Sequence, residues 1–113
     1  MNYNQTVTYI QAKQLIELGI EHTNKEFITV ADAISFIKSK KLHIVIIPYD
    51  DVFDEYDYVV VSYYYRIYKI DSHNGVSVIA ESEHGKSIGK THADCMQSAI
   101  TKCIELLYAH STQ

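Results

Sequence analysis

The chain has 113 residues, the length of one ordinary domain, and its 47% hydrophobic content is typical of a globular protein rather than a disordered one. Its formal charge of −4 argues against a surface that grips phosphate throughout, because such affinity comes from clustered Lys and Arg. No apolar run approaches the roughly 18 residues that a membrane-spanning helix needs, and residues 1–11 lack the features of a signal peptide. We therefore expect a single domain over 1–113, in the cytoplasm and with no membrane partner.

The first two predicted helices each begin at a threonine that stands three residues before Gln or Asp. The segments TYIQ (8–11) and TVAD (29–32) match the capping box, in which the Thr oxygen accepts the N3 amide and the N3 side chain reaches back. They predict helices over 9–18, ended by Gly19 in a left-handed conformation, and over 30–40. Three cations would complement the negative end of the second helix. They are Lys38, Lys40 and Lys41.

Three strands are predicted to follow. Residues 42–49 are apolar in both alternating sets except at His43, a pattern that is typical of an interior strand. Residues 56–70 and 75–83 have the β-branched and aromatic composition of the second and third strands.

The dipeptide Asn74-Gly75 predicts a two-residue turn between the second and third strands, because both positions tolerate a left-handed conformation. Such a turn would pair His73 with Val76, Ile70 with Ile79, Tyr68 with Glu81, and Arg66 with Glu83. One side of the hairpin is then expected to face the core: Val59, Val61, Tyr63, Tyr65, Ile67, Val78 and Ala80. The other side of the second strand carries Tyr58, Tyr64, Arg66 and Tyr68.

The last predicted helix covers residues 92–108 and has one apolar stripe at i, i+3, i+4 spacing. Its members are Cys95, Met96, Ala99, Ile100, Cys103, Leu106 and Leu107. The two cysteines would lie about 12 Å apart along the helix, too far for a disulfide. The resulting order α-α-β-β-β-α predicts an α+β fold, a two-layer sandwich whose three-stranded antiparallel sheet carries its helices on one face.

The sequence has no pattern that is typical of catalysis or of metal binding. A nucleophile elbow, a phosphate-binding loop and the HExxH motif are all missing. No two of the six histidines are spaced i, i+4, and there is no CxxC. We expect a non-enzymatic protein with no catalytic residues, no metal and no cofactor.

Tyr58, Tyr64 and Tyr68 share a predicted strand face with Arg66, on the side that the helices would leave open. Three interpretations stay open. The tyrosines could serve only cross-strand packing, or they could form a protein interface, including that of a homodimer. They could also stack on nucleic-acid bases beside a cation.

The segment YDDVFDEYD (49–57) is predicted to be an acidic hairpin loop. It lacks the mid-loop glycine and the terminal glutamate of a calcium-binding loop. Its charges could simply discourage aggregation of two apolar strands. Alternatively, Asp50, Asp51 and Asp54 form an acidic patch that meets a basic partner surface.

From Thr29 onward the order α-β-β-β-α resembles the double-stranded-RNA-binding domain. The segment GKSIGKTHADCMQSAITKCIELL (85–107) is similar to that family's signature, in which a Gly-rich strand end leads into a Lys-rich helix start and an alanine-rich helix. The resemblance implies binding to RNA backbone. Here the helix begins with His92, Ala93 and Asp94, so the phosphate contacts would come from Lys86 and Lys90 in the preceding loop.

The whole chain also resembles a group of short proteins from bacteriophages and mobile elements, especially of Bacteroidetes-type bacteria. The resemblance rests on the segments YIQAKQLIELGI, ITVADAISFIKSKK and ADCMQSAITKCIELL. It implies a small accessory protein that binds a host or phage protein, including a component of bacterial defence. We therefore expect a non-enzymatic protein-interaction module, with a degenerate nucleic-acid-binding domain as the alternative.

Overall fold

The structure is a computed structural model that describes residues 5–21, 27–53, 58–73, 75–82 and 91–111. For residues 49–53, 58–62 and 110–111 it describes the backbone alone. The elements are α1 Tyr9–Leu18, α2 Val30–Ser39, β1 Leu42–Phe53, β2 Tyr58–Asp71, β3 Gly75–Glu81 and α3 His92–Ser111. The predicted α+β fold and its order α-α-β-β-β-α are confirmed.

The predicted helix caps are present in α1 and α2. The amide of Gln11 donates to Thr8 Oγ1 at 3.1 Å, and the Thr8 amide donates to Gln11 Oε1 at 3.0 Å. Thr29 and Asp32 exchange the same two bonds, both at 3.1 Å. Gly19 ends α1 with φ of +105°, a left-handed conformation that glycine adopts without steric cost.

The sheet is antiparallel with the order β1-β2-β3, so β1 is an edge strand and the prediction of an interior strand is wrong. One alternating set of apolar residues in β1 packs on the helices, namely Leu42, Ile44 and Ile46. The other set lies on the opposite face of the sheet. Pro48 fits the edge position. The Ile70 amide donates to Lys41 O at 2.8 Å, and by alternation the nitrogen of Pro48 points away from β2, where no ladder bond is lost.

Strand β1 also extends to Phe53, so Asp50 and Asp51 lie in the strand and not in a loop as predicted. They pair with Val61 and Val60, and Phe53 pairs with Tyr58. The reason is that the β-prone residues Val52 and Phe53 continue the pairing beyond the acidic pair.

The predicted register between β2 and β3 is wrong. Ile70 pairs with Val76, Tyr68 with Val78, and Arg66 with Glu81. The connection is longer than a two-residue turn because Asp71 pairs with Gly75, which has φ of +81°. Asp71 Oδ1 also accepts the His73 amide at 2.8 Å, a local bond that favours a turn starting at Asp71.

A β-bulge follows in β3, where the pairing shifts between Ile67 and Tyr68. Ile67 pairs with Ala80 while Tyr68 pairs with Val78, so Ile79 is the extra residue. Ile79 and Ala80 both pack against the core. Val78, predicted to face the core, is instead 51% exposed on the opposite sheet face.

The core lies between the sheet and the helices. Helices α2 and α3 contact the sheet, and α1 contacts α3. In the predicted α3 stripe, Cys95, Met96, Ala99, Ile100 and Cys103 are buried as expected. Ile104 is also buried, and Leu106 and Leu107 are partly buried. The core cluster consists of Val7, Leu15, Ile20, Ile28, Val30, Ala33, Ile37, Leu42, Ile67, Met96, Ile100, Cys103 and Ile104.

Candidate protein interface on the outer sheet face

The candidate site is the sheet face opposite the helices, which we call the outer face. The core takes its sheet residues from the other face, because Leu42, Ile67 and Ala80 pack there. Alternation along the three strands then defines the described members of the outer face. They are His43, Val45, Ile47, Tyr64, Arg66, Tyr68, Ile70, Val76, Val78 and Glu81.

Arg66 stands at the centre of the outer face and is held from two sides. Its Nε donates to Glu81 Oε2, and its Nη1 donates to the Tyr68 hydroxyl at 3.3 Å. The hydrogen bonds to Tyr68 and to Glu81 raise the pKa of Arg66, so the guanidinium stays charged. The predicted pairing of Arg66 with a carboxylate thus occurs, but the partner is Glu81 and not Glu83. The observed register places Glu81 opposite Arg66.

An apolar strip adjoins this polar centre at the hairpin end of the sheet. Ile70, Val76 and Val78 are 43%, 63% and 51% exposed, and Ile70 pairs with Val76. Val78 pairs with Tyr68, so the strip is continuous with the aromatic residue that holds Arg66. Sequence reasoning missed these valines, although their alternation with Ser77 is a signal that they share one face.

The structure brings together three of the predicted interface residues, Tyr64, Arg66 and Tyr68. Tyr64 pairs with Ile47 of β1 and is partly buried among its neighbours. Tyr58 lies at the start of β2, where the structure describes the backbone alone.

The residues of the predicted acidic patch lie farther along the chain than β1 residue Ile47, and the structure describes only the backbone of Asp50 and Asp51. Asp50 follows Ile47 by three positions, which puts its backbone about 10 Å along the strand from the Tyr64 pairing. Asp54, Lys86 and Lys90 lie outside the described residues.

The two cysteine thiols lie in the core, away from the outer face. Cys95 and Cys103 are completely buried, and burial raises the pKa of Cys95 to about 11 and that of Cys103 to about 12. At neutral pH both are therefore protonated thiols and poor nucleophiles. Within the described ranges, no three His, Cys, Asp or Glu side chains cluster as a metal site would require. None of the described helices has both the length and the apolar character to cross a membrane.

Comparison of the chain with protein-family models, with curated proteins and with solved structures found no match in any of the three.

Proposed function

We propose that this chain is a non-enzymatic protein-interaction module that binds a partner protein through the outer face of its sheet. The observation that carries the proposal is the exposed strip of Ile70, Val76 and Val78 next to the Tyr68–Arg66–Glu81 network. Contiguous apolar patches, unlike apolar residues scattered singly over a surface, are often interaction sites. Tyr and Arg are enriched among the residues that dominate binding energy.

The arrangement also reduces the entropy lost on binding. Arg66 and Tyr68 are ordered by hydrogen bonds before a partner arrives, so a partner does not have to immobilise them. An apolar strip flanked by a neutralised Arg–Glu pair should bind with modest salt dependence, since little net charge is brought together.

The partner that we propose is a host protein of a bacterium, as the resemblance to phage and mobile-element proteins implies. The free thiols of Cys95 and Cys103 suit a reducing cytoplasm, which we propose as the compartment. In this proposal Asp50, Asp51 and Asp54 would speed the encounter with a basic partner surface, a contribution that salt screens, whereas the contacts of the outer face depend little on salt. An enzymatic activity is not part of the proposal.

The proposal is tested by light scattering of the purified chain, followed by affinity capture from a host lysate with quantitative mass spectrometry. The variant Val76→Ser/Val78→Ser removes the apolar strip, and Ile10→Ser, at a 67% exposed position on α1, is the matched control. We expect captured host proteins to be lost with the double variant and retained with the control. Equal capture by both variants would exclude the outer face as the interface.

Two other outcomes would replace the proposed host partner with a different one. A dimer that Val76→Ser/Val78→Ser dissociates would make a second copy of the chain the partner. Capture of RNA or single-stranded DNA that weakens steeply with salt and depends on Lys86 and Lys90 would support the nucleic-acid alternative.

A further inference from the structure

A second surface lies at the β1 edge of the described sheet, where β1 and α2 form the walls of an open groove of about 400 Å³. The groove is lined by Ile34 and Ile37 of α2 and by Leu42 and Ile44 of β1, with Met96 among its lining residues. Lys38 is the one charged lining residue, and it is exposed on the last turn of α2. The α2–β1 turn, residues 40–41, joins the two walls at this end.

The edge of β1 offers backbone hydrogen bonds beside this groove. Because Lys41 accepts from Ile70, the alternating residues Leu42, Ile44 and Ile46 point their amides and carbonyls away from β2. Among the described strands, β1 pairs with β2 alone, so these groups can pair with an incoming strand. Pro48 has no amide and ends the available ladder, which limits the edge to a segment of about five residues.

We propose that this edge and groove bind the C-terminal segment of a partner protein as an added antiparallel strand. Its backbone would pair with Leu42, Ile44 and Ile46. Alternate apolar side chains would enter the groove, and its terminal carboxylate would lie near Lys38. Strand addition of this kind takes affinity from the backbone and specificity from side-chain pockets.

Charge and direction select this occupant. An antiparallel segment brings its C-terminal end to the start of β1, where Lys38 and Lys41 are exposed and form no ion pair with any described residue. A parallel segment would bring a cationic N-terminus to the same lysines. A second copy of β1 is disfavoured, because Pro48 would remove hydrogen bonds from the centre of a long self-paired ladder.

The probe is an array of hexapeptides with free C-termini, randomised among apolar residues at the last and third-last positions. The tightest peptides would then be measured by fluorescence anisotropy. We expect amidation of the C-terminus, and separately Lys38→Glu, to weaken binding at least about tenfold. Lys13→Glu, at an exposed position of α1, is the matched control and should leave the affinity unchanged.

N-methylation of single peptide amides tests the added strand without altering the protein. Methylation should weaken binding at alternate positions only, because alternate amides face β1. The inference is overturned if no peptide binds. It is also overturned if amidated peptides, or peptides whose carboxylate is on an internal side chain, bind as tightly as those with a free C-terminus. An effect of methylation that does not alternate along the peptide would likewise overturn it. Val76→Ser/Val78→Ser should leave peptide affinity unchanged, so this site and the outer face can fail independently.

Discussion

Gln11 ties the first helix to the last at the level of a single side chain. It is 3% exposed, and its Nε2 donates to Gln97 O at 2.9 Å and to Thr101 Oγ1 at 2.8 Å. Its Oε1 accepts the Thr8 amide, so one side chain completes the α1 cap and joins α1 to α3. The sequence predicted the cap but gave no sign of the bonds to α3.

We expect Gln11→Ala to lower the free energy of unfolding by about 3 kcal/mol, because the three hydrogen bonds of this buried side chain are lost, at about 1 kcal/mol each. Urea denaturation followed by circular dichroism measures the change. Lys13→Ala on the exposed side of the same helix is the control and should change the stability by less than about 0.5 kcal/mol. Similar values for the two variants would contradict the proposed tie between α1 and α3.

Lys41 has the unfavourable backbone of a left-handed residue, with φ of +71°. Glycine adopts this conformation without a Cβ clash, so we expect Lys41→Gly to stabilise the fold by about 0.5–1 kcal/mol. Lys41→Ala removes the charge but keeps the Cβ, and it should give no gain. Equal stabilisation by both variants in thermal denaturation would assign the effect to charge rather than to backbone strain.

At the scale of the elements, α3 buries two thiols, and this makes stability depend on alkaline pH. An unfolded thiol ionises near pH 8.5, whereas the native pKa values are about 11 for Cys95 and about 12 for Cys103. The free energy of unfolding therefore keeps its full thiol contribution below about pH 8.5, and this contribution is lost as the pH rises toward the native pKa values. By pH 10 the loss should be about 1–2 kcal/mol per thiol.

Chemical denaturation at pH 8 and at pH 10 tests this dependence. Cys103→Ala is the comparison, because it removes one of the two thiols from the titration. Its stability should fall less between the two pH values than that of the unaltered chain. The same fall in both proteins would show that other groups, such as tyrosines, carry the alkaline destabilisation.

The helices could be predicted from the sequence closely, and the sheet only in part. Thr8, Gly19 and Thr29 fix helix ends through local hydrogen bonds, and such signals are contained in a few adjacent residues. The β2–β3 register depends on the Asp71–His73 bond and on a bulge at Ile79, which compete with the Asn-Gly turn signal. The edge position of β1 depends on which strand pairs with which, and an apolar pattern alone does not specify that.

The candidate site was predictable to the same extent. Alternation along β2 placed Tyr64, Arg66 and Tyr68 on one face, and this holds in the structure. The identity of Glu81 as the partner of Arg66, and the exposure of Val76 and Val78, both follow from the register. The predicted β2–β3 register differs from the observed one by up to three residues, so the sequence did not predict this partner of Arg66 or the exposure of these valines.

At the scale of the whole molecule, the described residues form a sheet with one helix-covered face, one outer face and edge strands at β1 and β3. The outer face carries the proposed partner interface, and the β1 edge carries the proposed peptide groove. The two surfaces share β1, so we expect a ligand at either surface to change the chemical shifts of His43 and Val45. Their separate variants nevertheless allow each surface to be tested alone.

The most direct test of the central claim is the dissociation constant of the captured partner for Tyr64→Ala and for Tyr9→Ala. Tyr9 is 82% exposed on α1, so the two variants remove the same side chain from the outer face and from a distant surface. We predict that Tyr64→Ala weakens binding at least about tenfold and that Tyr9→Ala leaves it unchanged. Equal affinity of the two variants would contradict the assignment of the outer face as the protein interface.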